Sequence, residues 1–194
     1  GVLRDIGAAV IPCNWLQIME NSLDPVHVEW LHQHFFNYVQ ERLGGSEFKG
    51  EPVRHKMINF RVFEHGIIKT RMLEGETEDN EDWQVGHPVL FPNILLSGST
   101  SRPTFQIRVP VDDTHTLHLW YTCYARPDAK EPQEIIPFYN VPVPGIDPTG
   151  EPQWSLLDNN SGEDMIAWIT QGGVADRTKE SLGLSDKGVI LYRR

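Results

Sequence analysis

From Asn14 to Ser22 the chain reads NWLQIMENS, with apolar residues at Trp15, Leu16, Ile18 and Met19. That spacing fits one face of a short amphipathic helix, and Asn14 offers a side-chain oxygen to cap it. Asp24-Pro25 then reads as a second cap followed by a proline in the first helical turn. The helix after it is predicted to pass through His27, Trp30 and Leu31 towards Phe35 or Phe36, until LGGSEFKGEP breaks it. From about Val53 the pattern changes to strands. MINFRVF and IIKTRML flank EHG as a hairpin, and EGETEDNED reads as a solvated acidic loop. HPVLFPNILLSG is apolar but holds two prolines, which predicts an edge strand or an irregular one. TFQIRVPV and TLHLWYTCYA flank DDTH as the clearest hairpin, with Phe105, Ile107, Val109 and Val111 alternating along its first arm.

The proline-rich run from Arg126 to Pro152, which with Gln153 contains the arm 131–153, is too long for an ordinary connection. It reads as an interface arm or a cover over a pocket. Met165, Ile166, Trp168 and Ile169 recur at helical spacing, so a final helix is predicted from about Gly162 or Glu163 to Gly172-Gly173. DRTKESLG adds at most one further short helix. Helices, then a sheet, then a C-terminal helix predict one α+β domain over residues 1–194. The expected fold is a helix-grip, START-like arrangement: a curved antiparallel sheet packed around a long C-terminal helix. Such a fold leaves a cavity between sheet and helix for a small molecule.

Composition narrows the function. A formal charge of −10 argues against nucleic acid, which needs a surplus of Lys and Arg. No stretch has the apolar length of a membrane helix, and a cytoplasmic protein is expected. Cys13 and Cys123 fall in no CxxC or CxH pattern, so they read as two reduced thiols rather than metal ligands or a disulfide. The abrupt ends, GVLRD and VILYRR, suggest a piece of a longer chain.

The segment ENSLDPVHVEWLH concentrates Glu20, Asn21, Asp24, His27 and His32 among apolar residues. Two imidazoles can share one metal ion. On a regular α-helix, however, positions five apart point roughly 140° from each other. His27 and His32 therefore converge only if the helix carries a π-bulge or ends between them. There is no HExxH, and the spacing alone leaves a metal pair and a core-plus-surface pair evenly balanced. His34, His55, His65, His87, His115 and His118 read as structural or solvated. Asp112, Asp113 and His115 in DDTH read as turn chemistry.

The wider context is more specific. NWLQIMENSLDPVHVEWLH resembles the mononuclear-iron motif of Rieske-type aromatic ring-hydroxylating oxygenases: an Asn, an acid three residues before the first His, and a second His five residues on. PCNWLQ, FQIRVPVDDTHTLHLWY and DRTKESLGLSDKGVILYRR are similar to the phthalate dioxygenase and vanillate demethylase branch, so the resemblance runs over most of the chain. It implies a mononuclear Fe(II) held by His27, His32 and one carboxylate of the C-terminal helix, a facial triad with open positions for dioxygen. In this branch the acid stands just before an xxAW segment. EDMIAW makes that Asp164, with Glu163 as runner-up and Asp158 as outsider; a helix-capping acid is the competing role. The resemblance assigns Asp24 a bridging role, bonding a ligand histidine and lying between the iron and the Rieske cluster of a neighbouring subunit. Capping before Pro25 is the alternative. Asn21 is implied as a polar group near the iron, and Glu20 as solvated or just behind the site.

The same resemblance implies a [2Fe–2S] Rieske cluster with two Cys and two His ligands. No CxH or CxxH occurs here, so that domain is expected on a segment not given. Electrons would come from NAD(P)H through a separate reductase or ferredoxin, and the subunits would form a trimer or a multiple of it. The implied reaction is oxidation of a substituted aromatic acid, with a lean to O-demethylation of a lignin-derived methoxyarene such as dehydrodivanillate. Ring cis-dihydroxylation of a phthalate-like acid is the alternative. From other classes, a non-catalytic helix-grip binding module leaves the four-residue set unexplained. A zinc hydrolase lacks a clear general base.

Overall fold

VLRDIGAAVI, which neither the helical nor the hairpin patterns single out, forms the ten-residue strand β1 (Val2–Ile11) in the computed structural model. The structure describes residues 1–34, 38, 41, 54–98, 102–128, 130–157 and 159–194. β1 escapes the alternation rule because its centre is Gly7-Ala8-Ala9, small residues with weak strand preference. Their size has a packing reason. A Cβ on Gly7 would come within 3.0 Å of Val141 Cγ2 and 3.2 Å of the Tyr139 ring. The proline-rich arm lies against this strand: its short β8 (Phe138–Asn140) pairs with Ile6, Gly7 and Ala8 in parallel. Gln133 extends the seam, accepting from Arg4 N and donating to Arg4 O. That parallel pair makes the sheet mixed rather than wholly antiparallel.

The expected hairpins form. β2 (His55–Phe63) turns into β3 (Gly66–Leu73), and β6 (Thr104–Pro110) into β7 (Thr116–Ala125). Between them HPVLFPNILLSG is not an edge. It folds as two four-residue strands, β4 (His87–Leu90) and β5 (Ile94–Ser97), in the interior of the order β2-β3-β4-β5-β6-β7-β1-β8. Interior placement is tolerated because the strands are short, Pro92 lies in the turn between them, and Pro88, opposite Ile68 of β3, precedes the Val89 and Leu90 pairs with β5. At the DDTH tip, Asp112 Oδ1 accepts from Thr114 N at 2.7 Å, which is the turn chemistry its sequence indicates.

The helices pack on one face of this curved sheet. α1 (Trp15–Ser22) starts at Asn14, whose Oδ1 accepts from Leu16 N. A four-residue helix, α2 (Glu81–Gln84), follows β3. α3 (Asn160–Ile169) begins a little earlier than its apolar pattern suggests, because Asn159 Oδ1 caps it by accepting from Gly162 N. It has ten residues, and a second short helix that the pattern does not reveal, α4 (Lys187–Tyr192), shares the gripping role. Two buried clusters result. One joins Ile11, Cys13 and Ile18 to Met165 and Trp168; the other joins Met19, Leu23, Ile67, Val89 and Leu95 to Tyr192. DRTKESLG forms one 3₁₀ turn, Arg177–Lys179. Cys13 and Cys123 are both free. Among the described residues no helix is long and apolar enough to cross a membrane.

Candidate metal centre

The two histidines stand at the ends of a π-helical turn, Val28–His32, closed by Gln33 N donating to Val28 O. A hydrogen bond from residue i+5 back to i brings residues five apart onto one side, which an α-helix does not do. The rings of His27 and His32 are 5.1 Å apart and nearly perpendicular. Phe35 and Phe36, towards which a longer helix was expected, lie outside the described residues.

α3 brings the acids. Glu163 and Asp164 are neighbours on the helix, but their side chains part around His32. Glu163 Oε2 accepts from His32 Nδ1 at 2.9 Å. Asp164 Oδ1 lies on the other side of the ring, 3.2 Å from His32 Nε2 and 3.8 Å from His27 Nε2. His27 is fixed in the same sense: its Nδ1–H donates to the main-chain carbonyl of Asp24 at 2.6 Å. A carbonyl only accepts and a carboxylate pulls the proton towards itself, so both rings carry it on Nδ1. Both Nε2 lone pairs then point inward.

His27, His32 and Asp164 each present one ligand atom, all within 4.8 Å of one another. Asp164 Oδ1 is buried without an aligned hydrogen bond. An orphaned buried acceptor facing two imidazole lone pairs is costly unless a cation lies between them. Two histidines and one carboxylate are also the donor set of a facial-triad iron site, so the residues fit the metal. Burial works against a charged His32, but the Asp164 and Glu163 carboxylates outweigh it and raise its pKa. At His27, burial wins over the pull of Asp164, and the pKa falls. Burial also raises Glu163, against the pull of His32. A bound divalent cation would take over the charge balance that a proton on His32 otherwise supplies.

Glu163, the runner-up for the carboxylate, thus sits where it orients a ligand rather than where it would bind the metal. Glu163→Ala is expected to weaken Fe(II) binding roughly 10- to 100-fold without abolishing it. Glu163→Gln, which still offers an acceptor, is expected to recover most of the loss. Chelator competition on the anaerobic protein measures both; a full loss of iron in Glu163→Ala would make it a ligand instead.

Other candidates fall into place individually. The Asp24 carboxylate does what its capping alternative required, with Oδ1 accepting from Val26 N at 2.8 Å; its Oδ2 remains 3.8 Å from His27 Nδ1. Asn21 lines the cavity beside the metal-binding atoms. Glu20 is not solvated. It is buried in a double ion pair with Arg177 and Arg193 that ties α1 to the C-terminal segment. Asp158 lies outside the described residues. His118 is stacked between Trp120 and Trp168, a packing role.

The cavity has a volume of about 220 Å³ and two unlike walls. Asn21, His27, His32 and Asp164 form one; Lys69, Arg71, His87 and Gln106 contribute to the other, with Leu95 and Trp120 as apolar lining. The sequence pattern does not reveal the strand wall, and His87 reads from sequence as solvated or structural. A signal was available in IIKTRML: Lys69 and Arg71 share the strand face of Ile67, which packs into the core.

A helix-gripping sheet with two histidines and one carboxylate converging at its cavity offers the donor set of a mononuclear iron domain. Comparison with known proteins gives the family. The model for the ring-hydroxylating alpha subunit (catalytic domain) matches residues 5–140, and the chain belongs to that Rieske-type family. The match includes Asn21, Asp24, His27 and His32 and stops short of Asp164. The chain is 38% identical over 98% of its length to the 5,5'-dehydrodivanillate O-demethylase oxygenase subunit of Sphingobium sp.. It is 26% identical over 97% of its length to the phthalate 4,5-dioxygenase oxygenase subunit of Pseudomonas putida. It spans 42% and 49% of these relatives, less than half of each. Among solved structures, NdmA of Pseudomonas putida CBB5 superposes with a TM-score of 0.60, and the terminal oxygenase of carbazole 1,9a-dioxygenase from Nocardioides aromaticivorans with 0.55. Each is 14% identical over 99% of this chain, which covers 48% and 56% of those chains, so the likeness is one of fold.

Proposed function

We propose that this domain binds a mononuclear Fe(II) through His27, His32 and Asp164 and oxidises a substituted aromatic acid with dioxygen. The observation that carries the reading is the convergence of those three ligand atoms within 4.8 Å at the wall of the cavity. The bound iron would supply an open coordination face on which dioxygen is activated by electrons. The chain's own residues do the rest. Glu163 and the Asp24 carbonyl hold the two imidazoles in the tautomer that offers Nε2. Leu95 and Trp120 give an aromatic ring an apolar surface, and Asn21 is a polar group beside the reacting edge.

The substrate we favour is a methoxylated, lignin-derived aromatic acid such as a dehydrodivanillate-type biaryl, with O-demethylation as the reaction. The 38% identity to a dehydrodivanillate O-demethylase subunit supports it. Electrons would enter from the Rieske [2Fe–2S] domain of a neighbouring subunit in a trimer, fed from NAD(P)H by a reductase or ferredoxin, in the cytoplasm. A second cleft behind His27, lined by Glu20, Asp24, Leu31 and Arg177, gives such a partner access to the histidine. With Rieske domain and reductase supplied, the protein is expected to release about one formaldehyde per methoxybenzoate consumed. Consumption of phthalate to a cis-diol, without formaldehyde from any methoxyarene, would replace demethylation by ring dihydroxylation.

A further inference from the structure

We propose that Lys69 anchors an anionic oxygen of the substrate, a carboxylate or a phenolate, and so selects acidic aromatics for the cavity. The proposal rests on the aromatic-acid reading above and names the residue that enforces it. Lys69 occupies a core-facing position of β3, on the strand face of Ile67 and directly across from His87 of β4. It is only 6% exposed, yet its ammonium has no hydrogen-bond or ion-pair partner among the described residues.

The other charges on that wall are already matched. Arg71 Nε donates to Asp82 Oδ2 at 2.8 Å, and Asp82 Oδ1 faces His87 Nε2 at 3.6 Å. Asp82 therefore serves Arg71, His87 is pushed down to about 4 by burial and Lys69 and is no cation to be matched, and no carboxylate is bonded to Lys69 among the described residues. A buried, uncompensated ammonium is unfavourable by itself, and folded proteins rarely keep one without a ligand or a function. Burial, then Arg71 beside it, push Lys69 down to about 8, against the pull of Asp24, Asp164 and Asp82. Neighbouring polarity is fixed rather than adaptable. Arg108 Nη2 donates to Gln106 Oε1 at 2.6 Å, and Gln106 Nε2 donates to Ser97 Oγ at 3.2 Å. Lys69 thus presents to the cavity a positive charge with no bonded carboxylate among the described residues. An aromatic acid would supply the missing counter-charge and direct its remaining substituents elsewhere in the cavity.

The test is calorimetric binding to the anaerobic, Fe(II)-loaded protein, which needs no turnover. Three matched pairs serve as probes: 3-methoxybenzoate and 3-methoxybenzamide, 2-methoxyphenol and 1,2-dimethoxybenzene, phthalate and phthalamide. Lys69→Met is expected to weaken the acidic member by about thirtyfold and leave the neutral one within about threefold, while Lys69→Arg retains most of the affinity. A loss confined to the benzoates identifies a carboxylate; a loss confined to the phenol, followed up to about pH 10 and growing as the phenol ionises, identifies a phenolate. Lys69-dependent binding of phthalate with no binding of methoxyarenes upholds the anchor and ends the demethylase reading. Equal loss for acid and amide, or a parent protein that does not prefer the acid, overturns the anchor. Because Lys69→Met removes an unpaired buried charge, it is expected to melt at or above the parent temperature. A clear drop would make the lysine structural and also overturn the proposal.

Discussion

Asp164→Ala is expected to lose Fe(II) binding altogether, with affinity falling more than about 100-fold, beyond the range seen when only a supporting residue is removed. The reason is geometric. Among the described residues, Asp164 Oδ1 is the carboxylate oxygen that faces both Nε2 atoms, at 3.2 and 3.8 Å. Without it, two neutral imidazoles remain, and they neither balance a divalent charge nor complete one face of an octahedron. Iron analysis after anaerobic loading and desalting reads the result. About one iron per chain in the parent, none in Asp164→Ala or His27→Ala, and weakened but present iron in Glu163→Ala is the expected set. Iron kept in Asp164→Ala and lost in Glu163→Ala would exchange the roles of the two acids. The variant is expected to fold normally, since Asp164 Oδ1 has no aligned hydrogen bond to lose.

Trp168→Ala is expected to cost about 3–5 kcal/mol, the range for deleting a fully enclosed aromatic side chain. In a domain of this size that lowers the melting temperature by about 10 °C. Trp168 is 2% exposed and stands four residues after Asp164, hence on the same face of α3. It packs with Ile11, Cys13, Ile18 and Met165 and stacks on His118 at 5.5 Å. Its indole N–H has no partner among the described residues. Trp168→Phe, which keeps most of the stacking area and forfeits no hydrogen bond, is therefore expected to cost well under half as much. Urea unfolding of the three proteins measures both, and equal losses in the two variants would mean that the indole nitrogen matters after all. The helix also holds Asp164, so weaker iron binding should accompany the Trp168→Ala loss.

The sequence by itself determined the elements whose causes are local. NWLQIMENS carries its own cap and apolar face, and α1 begins at Asn14 as that pattern requires. The 55–73 and 104–125 hairpins follow from alternation about turn residues, and Asp112 closes its turn with bonds to the next few residues. The five-residue spacing of His27 and His32 carried its own condition, a π-type turn, and the chain meets it between Val28 and His32. Local causes also explain the limit of that reading. Spacing could not say whether the two rings would converge on a metal, and a motif resemblance, not periodicity, singled out Asp164 from Glu163.

Only the tertiary structure decided the rest, because the forces involved act between segments far apart in the chain. β1 has no clear alternation. It becomes a strand because β7 and the proline-rich arm bond to its two edges, and the arm in turn becomes a strand because β1 is there. HPVLFPNILLSG is interior because β3 and β6 flank it, despite prolines that locally argue for an edge. Glu163 and Asp164 differ by one position in sequence, but they take different atoms of His32, 131 residues away, because of how α3 lies against the π-turn. Lys69 looks like a polar residue of an ordinary strand until the fold puts its ammonium at a cavity with no carboxylate bonded to it among the described residues.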